Sequence, residues 1–303
     1  MAQTVTVIIP TTASPQRLGQ LKEAIKSTQC NDARVRVLCV VNGDRSAPNA
    51  LDEITNSGAD YTISPVASAP LAQLAGRKAV ETPYFCFLDD DDVYLPHAID
   101  IRLEALQKQG VDVLVTNGFR SIDGRDMLAL TSLVNIPADP LAALFLENWL
   151  ASCGALFTAE GVPISYFEEP HPYLEWTWLA FRLANSRLKI GVLDKPTYRI
   201  NDTTGSLSKS DVYLTSHVTL FRRMLGNRVP AKVRSTIKRR LASAYHSLSE
   251  HDLARKDVCN AWRNHGRSLQ SVWGLGYLPY TRILVFASFR ELGRGGRNLR
   301  SGK

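Results

Sequence analysis

An α/β fold with a mostly parallel sheet, followed by a separate helical region, is what three features of this sequence predict. Short β-branched runs alternate with segments of helical periodicity over the first two-thirds of the chain. Polar residues follow three of those runs directly, at Thr11–Thr12, Asn42–Asp44 and Asp89–Asp92. Charge then divides the chain: residues 1–210 hold 18 Lys and Arg against 24 Asp and Glu, a net of −6, and residues 211–303 hold 18 against 5, a net of +13. An asymmetry of that size separates parts with different partners, so we expect one domain over 1–210 and a basic helical region over 211–303.

The elements follow in order. Thr4–Pro10 (TVTVIIP) is a β-branched run closed by proline, the composition of a buried strand. Leu18, Leu21, Ala24 and Ile25 then recur at helical spacing. Arg34–Val41 reads as a second strand ended by the turn-forming Asn42-Gly43-Asp44. A helix near Asn49–Asn56, a short strand around Tyr61–Ile63 and a helix from Leu71 to Val80 precede the strand that runs into the aspartates. A helix over Ala98–Gln109 and a strand over Val111–Asn117 continue the series. Such alternation builds a largely parallel sheet, and ligands bind at the carboxyl ends of its strands.

At 303 residues, 45% hydrophobic and 21% charged, the chain has the composition of a soluble globular protein. Five cysteines show no CxxC, and Cys39 and Cys86 sit inside apolar runs, which suits a reducing compartment. The N-terminus lacks the basic and long apolar regions of a signal peptide, and no apolar stretch is long enough to span a bilayer. These features predict a cytoplasmic protein.

The segment YFCFLDDDDVYLP, Tyr84–Pro96, sets four consecutive carboxylates at the end of a buried strand. Like charges that close raise one another's pKa, so the run is either fully solvated or offset by a cation. Neither GxGxxG after the first strand nor GxxxxGK[ST] occurs, which excludes the dinucleotide and P-loop cradles. A D-x-D pair instead supplies hard oxygen ligands of the kind Mg²⁺ or Mn²⁺ prefers, and such an ion can hold a diphosphate. The late GRGGRN, Gly293–Asn298, reads as flexible linker.

Taken together and in this order, VTVIIPTT…RLGQLKEAIKS, VLCVVNGDRS and AVETPYFCFLDDDD resemble the family 2 glycosyltransferases of the GT-A fold. YLEWTWLAFRLA (Tyr173–Ala184) and YRINDTTGSLSKS (Tyr198–Ser210) extend the resemblance to roughly residues 4–210. It implies an inverting transfer of a sugar from a nucleoside diphosphate, UDP or dTDP, to a glycan or lipid-linked acceptor in surface polysaccharide synthesis. Position by position, it implies Thr11 and Asn42 or Asp44 as nucleoside contacts. Asp89 would lie near ribose and metal, Asp91 would be the main ligand of Mg²⁺ or Mn²⁺, and Asp92 would support the turn. Asn42–Asp44 also reads as a plain Asn-Gly turn, and Asp90 and Asp92 as solvated or capping residues. Arg77 and Arg199 are candidates for the diphosphate; the alternatives are a surface arginine and a salt bridge.

This chain departs from the family pattern at three places. Glu175 is followed by Trp176 where the family has Glu-Asp, which leaves Glu175 as the candidate base or as a brace for the acceptor pocket, with Glu168 and Glu169 in reserve. Asn201 replaces a histidine, and Gln73–Leu74 replaces Arg-Asn. Tyr166, Phe167, Tyr173, Trp176 and Trp178 crowd the expected acceptor side, although Trp178 also suits the core. Beyond residue 210, helical segments with basic polar faces and the aromatic-rich run from Trp273 to Phe289 suit either docking on an anionic membrane or a helical cap. A nucleotidyltransferase making nucleotide sugars and a non-catalytic nucleic-acid or membrane-binding protein are the rival readings; the glycosyltransferase reading expects no nucleic acid.

Overall fold

The structure, a computed structural model, describes residues 4–29, 31–32, 34–122, 124–201, 211–270 and 272–298, in two compact units, Met1–Ser206 and Leu207–Lys303. The first unit begins with β1 (Thr4–Thr11), in which Val5, Val7, Ile8 and Ile9 are fully buried. α1 (Leu18–Ser27) buries Leu21, Ala24 and Ile25, the face its spacing foretold. β2 (Arg34–Asn42), α2 (Ala50–Asn56), β3 (Asp60–Ser64), α3 (Ala69–Lys78) and β4 (Tyr84–Phe87) follow. β3, β2, β1 and β4 lie side by side, all parallel. Helical crossovers cover such strands, which is why they read as unbroken apolar runs. Their carboxyl ends share one edge, and Thr11, Asn42 and Asp89 stand on it.

The other half of the sheet is mixed. Its elements are β5 (Val93–Tyr94), α4 (Ala98–Gln109), β6 (Val113–Ile122), β7 (Arg125–Leu128), α5 (Pro140–Leu144), β8 (Ala155–Thr158), α6 (Glu175–Ala184) and β9 (Ile190–Asn201). β8 inserts antiparallel between β4 and β6, β9 runs parallel to β6, and β5 pairs antiparallel with β9. The nine-stranded order is β3-β2-β1-β4-β8-β6-β9-β5, with β7 on β6. α6 starts at Glu175 and not at Tyr173, because Tyr173 holds a left-handed backbone (φ 64°) that a helix cannot include. Of Tyr198–Ser210, Tyr198–Asn201 form the end of β9 and 202–210 lie outside the described residues.

The second unit is helical: α7 (Asp211–Leu225), α8 (Ala231–Ala254), α9 (Val258–Ser268), a 3₁₀ stretch over Val272–Tyr280, and α10 (Thr281–Asn298). Val218, Tyr245 and Leu248 form a small core between α7 and α8. Gly293–Asn298, read from sequence as linker, continues α10. A glycine costs a helix about 1 kcal/mol relative to alanine, and each added residue still gains one backbone hydrogen bond.

Gly118 in β6 lies against the fully buried Tyr198 ring, which a Cβ at that position would overlap. Gly118→Ala should therefore destabilise the protein by about 1–3 kcal/mol, the scale of an overpacked core. A lower urea midpoint by circular dichroism is the expected reading, and an unchanged midpoint would show that the ring can yield.

Candidate active site

The four aspartates occupy the tight turn between β4 and β5, closed by a bond from Asp92 N to the Asp89 carbonyl (3.1 Å). Each carboxylate has a different neighbour. Asp89 accepts from Ser152 Oγ (2.6 Å). Asp90 accepts from Thr11 Oγ1 (2.6 Å) and from Arg17 Nη1 (3.1 Å). The same Arg17 nitrogen pairs with Asp91 Oδ2 at 2.6 Å. Asp92 accepts from the Asn201 backbone N–H (2.9 Å) and from Cys153 Sγ (3.6 Å). Asn201 Nδ2 in turn donates to the Asp91 carbonyl (2.6 Å). Pairing of Val93 with Arg199 and of Tyr94 with Tyr198 is what brings Asn201 to the turn.

Asp90 and Asp92 thus depart from the solvated reading, being only 8% and 3% exposed. Burial raises the pKa of Asp89, opposed by the Ser152 hydrogen bond and reinforced by Asp91, Asp90 and Glu175. Burial raises Asp92 as well, with Asp89 adding to it. Asp90 is also pushed up by burial, against the pull of Thr11 and Arg17. For Arg17, burial works to lower the pKa, and the hydrogen bond to Asp91 and the charges of Asp90, Asp91 and Asp89 outweigh it. Carboxylates this crowded, with hard oxygens at D-x-D spacing, are a donor set that fits a divalent cation. Asp89 and Asp91 would hold it. Among the described residues, three or more metal-ligand atoms lie within 4.8 Å of one another at Asp32, His97 and Asp100 and not at the aspartate turn, and there the Asp100 carboxylate accepts from the Asp32 N–H (2.8 Å).

The remaining sequence candidates divide. Thr11 is buried, its hydroxyl given to Asp90, and Asn42 Nδ2 donates to the Thr11 carbonyl (3.0 Å), so both brace the strand ends. Asp44 is exposed beside Gly43, whose φ of 78° makes the turn. Arg77 is a correction. Its guanidinium donates to the Ala159 and Val162 carbonyls (2.8 and 3.0 Å) and covers the Phe85 ring. Ala159 bonds to Pro83, so Arg77 sits at the amino end of β4, opposite the aspartates. Arg199 pairs with Asp126 (2.6 Å), the salt bridge that was its alternative.

Glu175, at the start of α6, has a buried Oε2 with no hydrogen-bond partner, and burial raises its pKa. It lies near enough to Asp89 to push that carboxyl up, and it lines a small cavity with Gln73, Tyr166, Phe167 and Trp178. Glu168 and Glu169 are exposed. Trp178 is core, and Trp176 and Phe167 pack on Phe87 (ring centroids 5.2 and 5.5 Å). Tyr173 is exposed. Sequence reading missed Arg17, Ser152 and the bracing role of Asn201, whose partners lie far away along the chain.

A folded-state pKa raised above the ordinary carboxylate value means that stability is fully present below about pH 4 and is lost as pH rises toward the raised value. Asp92→Asn keeps an acceptor for the Asn201 N–H and removes the charge. It should stabilise the protein at pH 7.5 by more than about 1 kcal/mol, since one pKa unit is worth that much, and leave it unchanged near pH 4. Melting curves at the two pH values check this; equal effects at both would refute the electrostatic account.

The comparisons with known proteins agree with this fold. Structures of S. aureus TarS resemble the chain at 15–16% identity: the complex with UDP-GlcNAc has a TM-score of 0.56, covering 80% of this chain and 72% of that one. The TarS complex with UDP matches over 98% and 92%, also with a TM-score of 0.56. Glucosyl-3-phosphoglycerate synthase from Mycobacterium tuberculosis, in complex with Mn²⁺, UDP and glucosyl-3-phosphoglycerate, matches at 17% identity and a TM-score of 0.52, over 75% of this chain and 81% of that one. Among curated proteins none matches. The family model for glycosyl transferase family 2 matches residues 6–153, the span from β1 to the Ser152–Cys153 pair that holds Asp89 and Asp92. Over residues 6–153 of its first unit the chain thus matches glycosyl transferase family 2, on a sheet of the GT-A kind.

Proposed function

We propose that the first unit transfers a sugar, with inversion, from a nucleoside diphosphate to a hydroxyl of a glycan or lipid-linked acceptor in surface polysaccharide synthesis. The observation that carries this reading is the buried Glu175 Oε2, which has no hydrogen-bond partner, on a carboxylate close enough to Asp89 to raise its pKa. A carboxylate there accepts the acceptor hydroxyl's proton as its oxygen bonds the anomeric carbon, and the bond to the diphosphate breaks on the other face. Desolvation makes Glu175 a stronger base, which suits proton removal near neutrality. Asp89 and Asp91 would hold a divalent cation, which would supply positive charge for the departing diphosphate. Mn²⁺ with UDP in the mycobacterial synthase, and UDP-GlcNAc in TarS, support Mg²⁺ or Mn²⁺ and favour UDP over dTDP. Thr11, Asn42 and Asp44 border the strand ends where the nucleoside would lie.

Thermal shift with UDP-, GDP- and dTDP-sugars, with and without Mn²⁺, tests the donor, since a ligand of the native state raises the melting temperature. Stabilisation by a UDP-sugar that depends on Mn²⁺ is expected; none with any nucleotide sugar would sink the reading. Glu175→Gln should keep that shift and lose turnover by at least about a hundredfold, the scale of general-base catalysis. Turnover near that of the unmodified protein would remove Glu175 from the base role.

The second unit supports a cytoplasmic enzyme docked on an anionic leaflet, where a lipid-linked acceptor would be. No helix among the described residues is long and apolar enough to cross a membrane. Yet Trp273, Leu278, Phe286 and Phe289 are 49–70% exposed. On α10, exposed Arg282, Val285, Phe286 and Phe289 share one face, with Leu284 buried opposite. A second copy carrying the same +13 over residues 211–303 would repel this face, whereas anionic lipid attracts it. Lys238, Arg239 and Arg240 are exposed on α8. Replacing all three with Gln should weaken binding to anionic vesicles at low salt, by up to about 1 kcal/mol per residue. Co-sedimentation reads this out, and absent or salt-insensitive binding by the unmodified protein would end the membrane reading.

A further inference from the structure

Arg17 stands just before α1 and reaches the aspartate turn with one nitrogen, Nη1, at 3.1 Å from Asp90 and 2.6 Å from Asp91. The Asp91 oxygen it touches belongs to the carboxylate read above as the main cation ligand. A guanidinium in hydrogen-bond contact and a divalent cation at about 2.0–2.6 Å cannot both occupy the same side of one oxygen. The two arms of Arg17's attachment differ. Asp90 is fixed from behind by Thr11 (2.6 Å), so that arm is anchored in the strand ends. Arg17's side chain is 36% exposed, against 16% for Asp91, so the guanidinium has solvent to move into. Its five N–H donors form a fork suited to phosphate oxygens, whereas of the two sequence candidates for that task Arg77 is committed to the far end of β4 and Arg199 is paired with Asp126.

We propose that Arg17 is the counter-cation of Asp91, that it yields Asp91 when the divalent cation binds, and that, still held at Asp90, it then pairs with the donor's diphosphate. This inference rests on Asp91 being a cation ligand, as read above.

Mn²⁺ titration by calorimetry, without nucleotide, tests the first half. Arg17→Gln should bind Mn²⁺ about fivefold more tightly than the unmodified protein, the scale of a partly exposed ion pair. Arg17→Lys, which keeps the charge and loses the fork, should fall between them. Asp91→Asn should lose Mn²⁺ binding. UDP titration at saturating Mn²⁺ tests the second half, with Arg17→Gln binding UDP more weakly. Mn²⁺ affinity equal to or below that of the unmodified protein in both Arg17 variants would overturn the competition. Unchanged UDP affinity would overturn the diphosphate role. Full Mn²⁺ binding by Asp91→Asn would instead remove the cation reading on which the inference rests. Melting curves of each variant establish that the fold is kept; if Arg17→Gln does not fold, Arg17→Lys carries both titrations.

Discussion

Mutual repulsion among four consecutive carboxylates, drawn out of water at the end of a buried strand, is the constraint on which the site depends. Two like charges 4 Å apart repel by about 4 kcal/mol at the effective dielectric of a protein surface. The chain does not meet this with one counter-charge. It distributes donors from four separate segments: Thr11 from β1, Arg17 from the approach to α1, Ser152 from the loop before β8, and Asn201 from the end of β9. Burial nevertheless leaves Asp89, Asp90 and Asp92 with raised pKa values, so the donors compensate the charge only in part. Under the proposed function, a divalent cation would offset the repulsion that remains.

The first half of the sheet was legible in the sequence because its physics is local. β1, β2 and β4 are buried on both faces, and an unbroken β-branched run such as Val5–Ile9 records that directly. α1 announced its buried face through the spacing of Leu21, Ala24 and Ile25. The acidic turn was legible too, since four aspartates after YFCF have few cheap structural explanations. The mixed half was not. Whether Val113–Ile122 continues the parallel series depends on β8 slipping between β4 and β6, and no periodicity encodes which strand lies beside which.

Within the site the failures have one cause: they concern pairs distant in sequence. Arg17 lies 73 residues from Asp90, and by itself it looks like a solvated arginine opening a helix. Arg77 shows the converse. It lies one turn along α3 from Gln73, which lines the cavity beside Glu175, yet Gly76 lets the helix sit close on Ile8 and Val40 and the arginine turns the other way. Arg199 was offered both a ligand and a salt bridge, and only β7, hairpinned onto β6, supplies the Asp126 that takes it in this structure.

Behind the aspartates, Arg102 explains why the distant donors arrive in place. It is fully buried on α4, and its Nη2 donates to the Cys153 carbonyl (2.8 Å) and to Thr197 Oγ1 (2.6 Å). Its guanidinium lies over the Tyr94 ring, 4.6 Å from the centroid, and its Nη1 has no hydrogen-bond partner. Taking a guanidinium out of water for so few acceptors is costly, and the cation–π contact returns only part of that cost. The arrangement becomes intelligible from what the two acceptors adjoin. Cys153 follows Ser152, the donor to Asp89, and itself meets Asp92 through Sγ; Thr197 lies four residues before Asn201, the donor to Asp92 and to the Asp91 carbonyl. One planar fork thus fixes the spacing between the β8 loop and the end of β9. A lysine would carry the same charge there, but as a point charge on a flexible stem it could not hold both strands at one distance. The aspartate turn keeps its geometry because an uncompensated charge behind it is rigidly shared.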